Sequence, residues 1–339
     1  MLSTKYMGIE LKNPLIAGSC GLTNSIENII EIEKAGAGAI VIKSIFEEQI
    51  QFETQQLLNK DHSWKNTYDK IISEKEYFHD EAFAYMENYA KENTLADYLD
   101  YLKKAKQAVK IPIIASVNCS TAYDWQYFSK KIQDTGVDAL ELNIFVLPSD
   151  FEKTSVEIEQ SYFDIIAEVK KYVTIPIALK IGHYFSALSN TLDKLAKESG
   201  ISALILFNRS FNPDIDLEKL EITANKVFSS PDEYFHTLRW VAIMSGKINI
   251  DIAAATGIHD SSAAVKQLLA GAAAVQITSA MYKKGFSVFT DIITGMNQFM
   301  TKHGFKSIED FKGKMSQNNI LNPAAFERVQ FIKTFSSIV

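Results

Sequence analysis

The chain has 339 residues, 47% hydrophobic and 22% charged, enough apolar material for one large core or two modest ones. With 35 Lys and Arg against 41 Asp and Glu the formal net charge is −6, and the basic residues are dispersed, so nucleic acid and anionic membrane are poor partners. The two cysteines, Cys20 and Cys119, have neither C-x-x-C spacing nor a histidine cluster nearby, which argues against a disulfide framework and against any metal site.

The opening residues Met1–Pro14 lack the cationic start and apolar run of a signal peptide, and no apolar stretch approaches a membrane span, so a cytoplasmic protein is expected. Eight short runs rich in β-branched and apolar residues then follow in order: Pro14–Ser19, Ala39–Ser44, Pro112–Asn118, Ala139–Ile144, Pro176–Ile181, Ala203–Asn208, Ile248–Thr256 and Ala273–Thr278. They are apolar nearly end to end, as strands of a parallel sheet covered on both faces are. Between them the polar, helix-periodic segments Ser25–Ala35, Thr121–Thr135, Ile158–Tyr172, Ala187–Ser199, Pro231–Met244 and Ser261–Ala270 read as helices. Eight βα units predict an α/β fold, a closed (β/α)8 TIM barrel forming a single domain over residues 1–339, with an open doubly wound sheet as the alternative. Gly36, Gly136, Gly200 and Gly271 stand where left-handed caps end helices before strands. The extended segment after strand 2, Phe46–Ala108, is too long for one connection and is expected to cross the barrel mouth before forming a helix. A further helix is expected over Val288–His303.

Residues at the C-terminal ends of barrel strands face the site-bearing mouth. In order they are Gly18–Ser19, Lys43–Ser44, Asn118–Cys119, Glu141–Asn143, Lys180, Asn208–Arg209, Thr256–Gly257 and Thr278–Ser279. Any one of them has a structural reading as a loop start or cap. The pair after strands 7 and 8 also fits a phosphate site, because glycine lets the backbone approach a ligand and free N–H groups follow at the helix start. The plain alternative for Thr256–Ser261 is a tight turn with Asp260 or Ser261 as N-cap. Lys43 and Lys180 lie inside apolar runs, and a buried ammonium needs a partner. That partner is a carboxylate such as Glu141, the pyrimidine side of a flavin, or a carbonyl substrate captured as a Schiff base.

The motifs Asn13–Ser19, Ile42–Ser44, Glu141–Asn143, Leu179–Lys180 and Thr256–Ile258, with Leu268–Ala272, Gln276–Ala280 and Gly304–Phe311, resemble in the same order those of class 1 dihydroorotate dehydrogenases. The resemblance implies an FMN-dependent oxidoreductase. It places Gly18, Ser19, Lys43 and Ser44 near the isoalloxazine, Asn143, Lys180 and Asn208 around its rim, and Thr256, Gly257, Thr278 and Ser279 at the phosphate. Lys43, Asn143, Asn208 and Arg209 are the candidate catalytic residues, and the guanidinium of Arg209 suggests a small, anionic substrate. Departures are visible: one glycine rather than two before the phosphate helix, Thr278 in place of another, and no Asn-x-x-Gly-Leu-Pro-Asn loop. In the family's Asn-Leu-Ser-Cys-Pro-Asn loop the cysteine acts as base, whereas here the segment reads Asn143–Pro148 with Val146 at that position, and valine accepts no proton. Arg209 replaces a family serine, suiting a carboxylate or phosphate ligand, with a rim salt bridge to Asp214 or Asp216 as the structural alternative. Two further readings stay open: a flavin-binding electron relay or binding module that has lost the chemistry, and a flavin-free Schiff-base lyase. Association of two copies into a homodimer also stays open.

Overall fold

The computed structural model describes residues 2–46, 95–118, 129–210, 212–224 and 226–328. Its strands, in chain order, are β1 (Thr4–Tyr6), β2 (Ile9–Leu11), β3 (Leu15–Ala17), β4 (Ala39–Val41), β5 (Ile45–Phe46), β6 (Ile113–Asn118), β7 (Ala139–Ile144), β8 (Ile177–Ile181), β9 (Ala203–Leu206), β10 (Pro213–Asp216), β11 (Glu221–Ala224), β12 (Asp251–Ala254) and β13 (Ala274–Ile277). Eight of them, β3, β4, β6, β7, β8, β9, β12 and β13, form a parallel ring that closes where β13 pairs with β3 and β4 with β6. This is the (β/α)8 barrel expected from the sequence, and each of the eight apolar runs supplies one stave.

The second stave is broken: β4 stops at Val41, residues 42–44 leave strand conformation, and β5 resumes beside β6 with Ile45 opposite Val117. Lys43 and Ser44 occupy that break. Beneath the barrel, β1 and β2 make an antiparallel hairpin whose two turn residues, Met7 and Gly8, both take positive φ, as tight two-residue hairpins do. The Met7 amide donates to Asp251 at 2.7 Å, fastening the hairpin to the start of β12. Inside the barrel the lower layers are small: Ala39, Ala139, Ala178, Ala203, Ala253 and Ala274 pack with Ile16, Val41, Ile114 and Ile205 over Tyr6, Met7 and Leu11. The larger cluster lies outside the ring, where Leu140, Leu142, Leu179, Leu204 and Val275 meet the surrounding helices.

Those helices include Ile26–Lys34, Ser155–Lys170, Leu188–Glu198, Tyr234–Met244, Ser261–Ala270 and Val288–His303, and residues 95–108 and 129–133 are helical too. The helix Ser155–Lys170 starts before the expected Ile158, because Thr154 and Glu157 form a reciprocal capping box. The expected helix Pro231–Met244 divides into a 3-10 turn, Pro231–Glu233, and the helix Tyr234–Met244. Most of the Phe46–Ala108 excursion and of the Thr121–Thr135 helix lies outside the described residues, as does Cys119. The antiparallel hairpin β10–β11, inserted after β9, has no counterpart in the sequence reading. No described helix is long and apolar enough to cross a membrane.

Candidate active site

The period of two along a strand sends alternate residues into the barrel. On β7 the inward parity is Ala139, Glu141, Asn143; on β8, Ala178 and Lys180; on β13, Ala274 and Gln276; on β6, Ile114 and Ser116. The same staves that give an alanine floor therefore give a polar layer above it. Its members are buried, Glu141 and Ser116 completely. Such a carboxylate is tolerated only if paired and fully hydrogen-bonded, and here it is. Gln276 Nε2 donates to Glu141 Oε2 at 2.6 Å, and Ser116 Oγ donates to Oε1 at 3.3 Å. Lys180 Nζ donates to Gln276 Oε1 at 3.0 Å and pairs with Glu141 Oε1 at 3.5 Å. Hydroxyl contacts continue the chain outward, Ser116 to Ser44 at 2.7 Å and Ser44 to Ser19 at 3.1 Å. The carboxylate partner foreseen for Lys180 is thus present. Sequence reasoning passed over Ser116 and Gln276, although their parity within two strand runs marks them.

Above this layer lies a cleft of about 190 Å3, reaching from Lys180 and Gln276 to Ser229, Thr256–Gly257 and Thr278–Ser279. Lys180 and Arg209 line it, and among the described residues no carboxylate does. Thr256 and Gly257 take φ of 72° and 77°, turning the chain so that Gly257 lies against the start of the helix Tyr234–Met244. A Cβ at Gly257 would stand 2.2 Å from the Tyr234 amide nitrogen, so packing alone demands glycine there. The Thr256 hydroxyl donates to the Phe207 carbonyl at 3.1 Å, and Asp260 caps the next helix by accepting from the Ala263 amide at 2.8 Å. Opposite, the Ser229 amide donates to Ser279 Oγ at 3.0 Å, and Lys283 and Lys284 hold the Ser229 and His259 carbonyls at 2.8 Å. Gly18 does not itself line the cleft; its missing Cβ leaves room for the Thr278 hydroxyl, which would otherwise be 2.4 Å away.

At the rim, Asn208 Nδ2 donates to Asn143 Oδ1 at 2.8 Å, coupling the ends of β7 and β9. Lys43 is half-buried in the break of the second stave. Arg209 is bound by Glu233, at 2.8 Å, and by the carbonyls of Lys226 and Val227, both at 2.9 Å. Its carboxylate partner is therefore Glu233, not Asp214 or Asp216. Partial burial acts to raise the Glu233 carboxyl, but bonds from Arg209 and Ser230 outweigh it and hold it below its usual range.

Val146 packs against the outer core and its amide donates to the Tyr162 hydroxyl at 3.3 Å. Cys20, after β3 at the same face, could stand in as a base, but burial pushes its thiol up, against opposing hydrogen bonds from the Leu22 and Thr23 backbone. Beside the cleft, sharing Phe207, Asn208, Arg209 and Thr256 with it, is a second cavity of about 230 Å3 walled by His183 and His236. Their rings lie 4.8 Å apart, and burial pushes both imidazoles below their ordinary range, His236 further opposed by His183 and Arg239.

Comparison with known proteins places this arrangement. The family model described as dihydroorotate dehydrogenase matches residues 80–300. The catalytic subunit of dihydroorotate dehydrogenase B (NAD(+)) from Thermoplasma acidophilum is 30% identical over 321 residues, covering 92% of this chain and 98% of that protein. Those from Pyrococcus abyssi and Pyrococcus horikoshii are 27% and 28% identical over 320 residues, each covering 92% of this chain.

Proposed function

Because this chain belongs to the dihydroorotate dehydrogenase family, we propose that it is an FMN-dependent oxidoreductase that moves two electrons between the flavin and a small, anionic molecule bound at the barrel mouth. The observation that carries this reading is the cleft itself, lined among the described residues by two cations and no carboxylate, and bordered by a cradle of hydroxyls and turned backbone. That donor set fits FMN. Thr256, Gly257, Thr278, Ser279 and Ser229 would hold a terminal phosphate, and Ser19, Ser44 and Lys180 would face the ring system.

When bound, FMN supplies a two-electron acceptor. The chain's own residues do the rest. Lys180 is held in place by Gln276 and Glu141, so its charge is fixed where electron density would accumulate, with little reorganisation needed. Asn143 and Asn208 already share a hydrogen bond, which presets both amides to orient a reactant. Lys43 stands at the mouth to meet an anionic substituent. Arg209 contributes charge to the cleft while bracing its wall through Glu233. The relatives are named as catalytic subunits, and this chain is read likewise as one subunit of a complex, working in the cytoplasm.

The test is direct. Purified protein, denatured and analysed by mass and absorbance, should release FMN; colourless protein or released FAD would overturn the reading. An anaerobic screen of small carboxylates for bleaching of the flavin band then identifies the reductant.

A further inference from the structure

Given FMN in the cleft, as proposed above, we infer that His259 is a positioning residue for its phosphate: the imidazole turns the Ser229 hydroxyl so that the hydroxyl hydrogen is donated into the cleft. Ser229 lines the cleft and His259 stands behind it. Both are only 3% exposed, and His259 Nε2 lies 2.9 Å from Ser229 Oγ.

Everything else about the pair is already committed. The Ser229 amide donates to Ser279 Oγ at 3.0 Å and its carbonyl accepts from Lys283 Nζ at 2.8 Å, so the serine backbone is fastened on both sides. Lys284 Nζ donates to the His259 carbonyl at 2.8 Å, and Asp260, next in the chain, is engaged as a helix cap by the Ala263 amide. What stays adjustable is the placement of protons between imidazole and hydroxyl.

Burial, with the nearby ammonium groups of Lys283 and Lys284, holds the imidazole below its ordinary range, against smaller opposing effects of the Ser229 backbone and Asp260. Near neutral pH the ring is therefore uncharged and carries one proton, on either nitrogen. With Nε2 bare, the serine hydroxyl donates to the ring and only oxygen lone pairs face the cleft, which repel an anion. With the proton on Nε2, the ring donates to Oγ and the hydroxyl hydrogen is released toward the cleft. A phosphate selects the second arrangement, because a hydrogen bond to a charged acceptor is roughly twice as strong as a neutral one.

The test compares FMN with riboflavin, which has the same ring system and no phosphate, by fluorescence titration of the full chain stripped of flavin. His259→Leu removes the donor with little change of size. It should weaken FMN binding about 10–100-fold, the range for a hydrogen bond to a charged group, and leave riboflavin unchanged. His259→Gln, whose amide nitrogen can take the place of Nε2, should restore most of the affinity. Ser229→Ala should match His259→Leu, and the double variant should bind FMN no more weakly than Ser229→Ala alone, as residues acting through one another do in a mutant cycle. Equal losses for both flavins, additive losses in the double variant, or an unaltered FMN affinity in folded His259→Leu would overturn the proposal. If His259→Leu does not fold, Ser229→Ala and His259→Gln decide: an FMN-specific loss in the first and none in the second is expected, and any other result overturns it. Wild type that binds neither flavin would instead overturn the FMN reading, and this role of His259 with it.

Discussion

Lys180 has two obligations, toward the cleft above it and toward the buried carboxylate below it, and they can be separated by mutation. Lys180→Met leaves the fully buried Glu141 without its cation, at a cost of about 3–5 kcal/mol. The double variant Lys180→Met/Glu141→Gln should regain most of that stability while the flavin remains difficult to reduce. Urea unfolding of both variants beside anaerobic reduction measures the two effects, and a double variant as unstable as the single would refute the pairing. The residue at the family's base position yields a second expectation. Val146 has no lone pair and Cys20 has a raised thiol, so dihydroorotate should reduce the flavin slower by about 10²–10⁴-fold than with a positioned base. Anaerobic stopped-flow with millimolar dihydroorotate decides this, and complete bleaching within a second would contradict it. Both arguments were partly legible in the sequence. Lys180 interrupts an apolar run, and Val146 falls in a recognisable motif. Gln276 and Ser116 were hidden because a single polar residue in a strand shows its partners only once neighbouring staves are in register, and Arg209 found Glu233 rather than the nearer Asp214 or Asp216 because a later turn folds back across the mouth.

At the level of elements, the loops after β9 and β12 are locked together by contacts that periodicity cannot reveal. Gly257 abuts the helix Tyr234–Met244, and it also needs a positive φ. Gly257→Ala should therefore displace the turn and cost the protein its bound flavin even where the fold survives; the ratio of flavin to protein absorbance in purified variant and wild type tests this. Arg209 ties the end of β9 to the segment running into Pro231 through three partners. Arg209→Ala should release residues 226–230, seen as faster amide exchange there, and lower stability by about 1.5–3 kcal/mol, the range for charge-assisted bonds. Arg209→Lys should restore only part, since one ammonium cannot reproduce the fork that spans Glu233 and two carbonyls. All eight staves were readable because strands buried on both faces are apolar without alternation. The hairpin β10–β11 was not, since its short alternating strands carry as many acids as apolar residues and mimic a solvated loop.

Across the whole molecule, burial depresses the basicity of His183, His236 and His259 together. The unfolded chain then takes up protons near pH 6.5, before the folded one does. The contribution of these three histidines should be constant above that pH and fall as the pH drops from it toward the lower folded values. Urea midpoints at pH 7.5 and 5.5 should differ in that sense, and by less in His183→Gln/His236→Gln; an unchanged difference would assign the effect elsewhere. The ring itself has a consequence in time. Its closure joins β3 to β13, some 260 residues later in the chain. Until the last stave emerges, the first has only one permanent neighbour, and the alanine floor stays open to water along one seam. Nascent chains are thus exposed at an unpaired parallel edge between the emergence of β3 and of β13, and at elongation rates of about 5–20 residues per second that interval lasts on the order of tens of seconds. The hazard to this fold therefore lies in the interval before closure, not in the finished barrel, and it follows from where the ends of the ring meet.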